Sequence, residues 1–167
     1  MKILITTGLF LNDTGGPAQY ASRLKSEFEK LGAKVKIAQY GSIESALVKI
    51  WPSALWADCI ITLDTFSVGV PSSVAGKLLG KKVVVRIGGD FLWESYVERA
   101  GRKITLREFN SSLPELNLKE KIIFQLTKFL VRNVHKLAFN TDWQRKIWQK
   151  TYKISPDKSC VIKNYIP

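Results

Sequence analysis

Histidine and cysteine are almost missing from this chain. Among 167 residues there is one His and there are two Cys, too few for a disulfide framework or a Cys/His metal centre. Cys59 and Cys160 each stand in a short apolar, β-like segment, so two buried free thiols are expected. Long hydrophobic runs are also lacking: the apolar stretch around Val83–Val85 is far short of the ~20 residues that span a bilayer. The opening Met1-Lys2-Ile3-Leu4-Ile5 turns polar at Thr6, which suits a first strand and not a signal peptide. No repeat, linker or low-complexity segment interrupts the chain. The expected product is one domain over residues 1–167, cytoplasmic, with peripheral association at the inner membrane face as the further expectation.

Acidic residues are the other shortfall. Fourteen Asp and Glu face 26 Lys and Arg, a net charge of +12. Such an excess implies an anionic partner (phosphate, nucleic acid or an acidic membrane) or else a solvated basic surface. Against nucleic acid stand the absence of a recognised binding motif and the scatter of the basic residues over many elements. Hydrophobic residues at 46% with 24% charged are ordinary for a folded domain with a real core.

What is present is an alternation of strand and helix patterns. Lys2–Thr6, Lys34–Gln39, Cys59–Leu63, Lys82–Ile87, Leu137–Asn140 and Cys160–Lys163 predict strands. Between the first two, Tyr20, Ala21, Leu24, Phe28 and Leu31 recur at helical spacing after Pro17, with Gly32 as the stop. Further helices are predicted over Ile43–Ile50, ending before Pro52, over Pro71–Leu79, over Lys119–Val134 and over Asp142–Lys150. The stretch from Gly88 to Pro114 is expected to be irregular, with a helical piece near Glu94–Ala100. This order predicts an α/β fold: a Rossmann-like, doubly wound parallel sheet with Val83–Val85 near its centre.

In such sheets the carboxyl ends of the strands hold the ligand. The loop after strand one carries Gly15-Gly16 directly before a helix, where glycine admits close backbone approach and the helix N-terminus favours phosphate. The same pair also makes a turn. It is neither Gly-x-Gly-x-x-Gly nor a Walker A loop, so the common dinucleotide and P-loop readings lose support.

The segment KILITTGLFLNDTGGPAQYASRLKSEFEKLGAKVKI resembles the opening of the retaining GT-B glycosyltransferases, family-4-like. WADCIITLDTFSVGVPSSVAGKLLGKKVVVRIGGDFLWE and HKLAFNTDWQRKIWQKTYKISPDKSCVIKN are similar to later stretches of the same domain, so the likeness covers nearly the whole chain. The resemblance implies the acceptor-side, N-terminal half of a two-domain enzyme. Its donor-binding half, with the paired glutamates, would follow near Pro167, and this chain alone would be inactive. The implied partners are a nucleotide-sugar donor and a hydroxyl acceptor, with an anionic membrane surface as a further one and no nucleic acid; no metal or cofactor is implied. Gly15 and Gly16 would approach the donor diphosphate. Asp90, in Gly88-Gly89-Asp90, stands where the family often has a catalytic His, and a carboxylate there would orient sugar hydroxyls or stabilise positive charge. Asp13, Trp93 and Glu94 are the candidate acceptor contacts.

Each of these residues also has a plainer reading. Asp90 suits a helix N-cap, Asp13 a turn, and His135 a structural place at a helix–strand junction. Most of the five tryptophans suit cores or helix faces. Arg99, Arg102, Lys103 and Arg107 form a basic run that is either solvated or able to capture a phosphate-bearing or membrane-bound acceptor. Two other functions stay open: a non-catalytic sugar- or nucleotide-binding module of the same fold, and a basic nucleic-acid-binding protein.

Overall fold

The computed structural model describes residues 1–8, 16–101 and 103–163, with the side chains of all of these except 16–18. Six strands form one sheet: β1 (Lys2–Thr7), β2 (Lys34–Gln39), β3 (Cys59–Thr62), β4 (Lys82–Ile87), β5 (Lys136–Phe139) and β6 (Ser159–Val161). Their order is β2-β1-β3-β4-β5-β6, and every pair is parallel. The chain therefore steps to one side of β1 to make β2, then crosses back and builds outward from β3. The switch point lies between β1 and β3. β1 and β4 do not adjoin: β3 lies between them, paired Ile5↔Ile61 on one flank and Ile61↔Val84 on the other.

Both faces of the sheet are covered, which is why its strands lack strict alternation. Ile3, Ile5 and Val35 pack on Ala21, Leu24 and Phe28 of α1 (Gly16–Lys30). Leu4, Ile60, Val83 and Val85 face the other way, into a larger core that includes Ala75 of α4 (Gly69–Leu79) and Leu130 of α7 (Leu118–Asn133). β4 is a central strand by its pairing, with β3 on one side and β5 on the other.

The helices go beyond the sequence expectation. α2 (Ile43–Lys49) ends before Pro52 as expected, but a further helix follows directly, α3 (Trp51–Trp56), with Pro52 in its first turn, where its missing N–H costs nothing. The stretch expected to be irregular holds α5 (Phe91–Ala100) and α6 (Leu106–Ser112). Asp90 caps α5 and Thr105 caps α6, the latter in a reciprocal capping box with Glu108. These two helices bury Leu92, Tyr96 and Phe109 against Ile123 of α7, a satellite core that supplies the energy which isolated short helices lack. The last helix is α8 (Asp142–Tyr152), capped by Thr141.

The thiols also need correction. Cys59 is half-buried, and burial raises its thiol above the ordinary value. Cys160 is free and exposed, because β6 is an edge strand with no neighbour to cover it. His135 is structural: its Nδ1 accepts from the Val83 backbone N–H at 3.3 Å, tying the start of β5 to β4.

Candidate functional site at the carboxyl edge of the sheet

In an all-parallel sheet every carboxyl end opens on one edge. Three segments meet there in this chain: the end of β1 with the start of α1, the loop after β3, and the loop after β4. Asp13 and Gly15 lie outside the described residues. Gly16 is the first residue of α1, so the positive end of the helix dipole lies at this edge.

The loop after β3 is built around Asp64, a residue that sequence reasoning passed over. Its carboxylate accepts from the backbone N–H groups of Phe66 (2.8 Å) and Val68 (3.3 Å) and from the Ser67 hydroxyl. Thr62 Oγ1 donates to the Asp64 carbonyl at 3.1 Å. This self-contained turn lies against the end of β1. A Cβ on Gly8 would stand 2.8 Å from Asp64 Oδ2 and would collide with Ser67 Oγ. Gly8 is therefore required for the close approach of these two loops across the switch point. Phe66 stacks on Phe91 at 4.9 Å between ring centroids, which joins the β3 loop to the β4 loop.

Behind these loops lies a buried cation. Arg86, at the carboxyl end of β4, is 7% exposed. It reaches the Ala138 carbonyl at 3.5 Å and lies 5.6 Å from the Tyr20 ring in α1. One signal could have found it: an Arg inside the apolar run Val83-Val84-Val85-Arg86-Ile87 is out of place unless something polar meets it.

The structure places the remaining predicted residues as follows. Asp90 follows the carboxyl end of β4, but its side chain is 2% exposed and caps α5, accepting from the Trp93 N–H at 3.1 Å. Oδ2 has no hydrogen-bond partner. Burial raises the carboxyl from 3.8 to about 6, against the smaller lowering effects of the Trp93 N–H and the Asn110 side chain. The same charge, added to burial, pushes the Tyr152 phenol upward. Trp93 is half-buried, and its indole N–H donates to the Ile104 carbonyl at 2.9 Å, so its ring is committed to the packing of α5 on the segment before α6. Glu94 is exposed in the first turn of α5, and its carboxylate folds back over Gly89, where a Cβ would come within 2.6 Å of it. Glu94 is thus the one of these three side chains that is free to meet a ligand at the edge.

Among the described residues no group of three or more His, Cys, Asp or Glu could hold a metal ion, and no helix is long and apolar enough to cross a membrane. No protein-family model matches the chain, and no curated protein matches it. Among solved structures, it is similar at 13% identity to a LacI family transcriptional regulator from Arthrobacter sp. FB24 in complex with lactose, over 98% of this chain and 77% of that one, with a TM-score of 0.38. So distant a likeness adds nothing to the assignment, and the conclusion that the chain is a single-layer parallel sheet between helices, Rossmann-like in build, rests on its own strand order.

Proposed function

We propose that the chain is a sugar-binding domain that works as the acceptor-side half of a retaining GT-B glycosyltransferase. The observation that carries this reading is the convergence at the switch point. The N-terminus of α1, the Asp64 turn and the Gly88-Gly89 loop open on one edge, with the Arg86 cation behind them. Such an edge suits a phosphate-linked, polyhydroxylated ligand. Hydroxyls would meet Glu94 and the polar turn at Asp64, and the donor diphosphate would meet the glycine loop from the opposite wall. Asp90 serves this site as a positioning residue: capping α5 fixes where Glu94 stands.

The test is an amide NMR titration of the isotope-labelled chain with simple α- and β-glycosides. Weak binding is expected, with shifts concentrated at Gly8, Asp64–Ser67 and Gly88–Glu94. Shifts confined to the amino edge of the sheet, or none with any glycoside, would remove the reading. A non-catalytic sugar-binding module would give the same shifts but no transfer when a donor-binding half is supplied.

A further inference from the structure

A second concave feature lies between α6 and α8. It has a volume of about 370 Å³ and is walled by Arg107, Asn110 and Ser111 on one side and by Trp143, Lys146, Ile147, Lys150 and Thr151 on the other. That is the size range of small-ligand sites. The lining holds three cations and no carboxylate. Among the described residues neither Arg107 nor Lys150 makes an ion pair, while Lys146 meets Asp142 at 2.8 Å. Arg107 and Lys150 are thus the two cations of this hollow that lack an ion pair and stand ready for an incoming anion.

The other lining groups narrow the ligand further. Trp143 is 53% exposed, a large aromatic face left beside the cations. The Ser111 and Thr151 hydroxyls donate within their own helices, to the Arg107 and Ile147 carbonyls, so they offer acceptor lone pairs rather than protons. Asn110 belongs to the packing of this wall: its amide N–H donates to the Leu106 carbonyl at 3.0 Å, and its side chain faces the buried Asp90 carboxyl. A bare inorganic anion would satisfy the cations but leave the Trp143 face uncovered.

We propose that the α6–α8 cleft is a binding site for a phosphate monoester carried on a hydroxylated ring, a sugar phosphate or a mononucleotide. Arg107, Lys146 and Lys150 take the phosphate, and Trp143 covers the ring. Arg107 suits the bidentate contact, since its planar fork matches two phosphate oxygens. The cleft adjoins the carboxyl edge, since Gln144 beside Trp143 donates to the Gly89 carbonyl at 3.4 Å, but the proposal does not rest on the transferase reading: Arg107 and Lys150 belong to the cleft alone, and their variants test it by itself.

The experiment follows the Trp143 indole N–H signal of the labelled chain, with calorimetry for affinity. The probes are glucose 6-phosphate, AMP, glucose, inorganic phosphate, and vesicles containing phosphatidic acid. Glucose 6-phosphate or AMP should shift the Trp143 signal saturably, more tightly than phosphate and far more tightly than glucose. Arg107→Gln and Lys150→Gln, both on exposed side chains, should each weaken binding by about tenfold with unchanged melting temperature, and the affinity should fall with salt. A Trp143 response to glucose alone, tightest binding to phosphate itself, a response to vesicles only, or wild-type affinity in both variants would each overturn the proposal.

Discussion

Replacing Asp90 by Asn should stabilise this domain at neutral pH, although it alters a buried residue at a helix cap. The Asp90 carboxyl titrates near pH 6 against an ordinary 3.8, with burial as the main cause. Each tenfold change in proton affinity is worth about 1.4 kcal/mol, so keeping Asp90 ionised in the folded chain costs about 3 kcal/mol. The sign follows from the raised value. The folded state binds the proton more tightly than the unfolded one, so this group favours folding below pH 3.8. That advantage is lost as pH rises through 6. Asn removes the charge and keeps the cap, since Asn and Asp are equivalent N-caps to within a few tenths of a kcal/mol. The Asn110 side chain beside it offers the new amide a partner. For a domain of this size about 3 kcal/mol raises Tm by roughly 6–12 °C. The assay is thermal unfolding of both proteins between pH 4 and pH 8. The gap should be widest above pH 7 and should close towards pH 4. A variant less stable than wild type at pH 7.5, or a gap independent of pH, would refute the reasoning.

Four other outcomes are expected. Gly8→Ala should melt near wild type yet lose glycoside binding, because its methyl group displaces Ser67 and the Asp64 turn; retained binding in the titration would show that this turn is not part of the site. Gly69→Ala should destabilise the whole domain by about 1–3 kcal/mol in denaturant titration, since its Cβ would press on the Asp64 carbonyl and on Leu130 Cδ1. Glu120, buried at 1% exposure, is held below its ordinary 4.5 first of all by the hydrogen bond from Arg99, at 2.6 Å. Arg99→Met should therefore lower stability at neutral pH. Because the folded value is depressed, that stabilisation is present above pH 4.5 and vanishes as pH falls through the folded value, so the two melting curves should converge in acid. Finally, residues 1–167 alone should transfer no sugar from any nucleotide-sugar donor in a radiolabel assay; turnover would refute the two-domain reading.

The sequence by itself determined the class of the fold. Strand-length apolar runs alternating with helix-period stretches leave a parallel sheet as the economical solution, and all six predicted strands are present within a residue or two at each end. Periodicity reports which residues face a core, and for β4 that was enough to place it centrally. It could not report strand order, because the register β1–β3–β4 depends on crossovers that no local pattern records. Nor could it show the full extent of α5 or the existence of α6: a helical piece was legible only near Glu94–Ala100, and both helices gain from Leu92, Tyr96 and Phe109 meeting Ile123, in contacts distant along the chain. The site divides in the same way. Gly16 at a helix start was legible from the Gly-Pro boundary. The burial of Asp90, the tethering of Trp93 to Ile104, the Asp64 turn beneath Gly8 and the cation cleft of Arg107, Lys146 and Lys150 were not. Whether a side chain meets solvent, a partner or an unanswered charge is set by what the fold brings beside it, and that is a property of the packed chain alone.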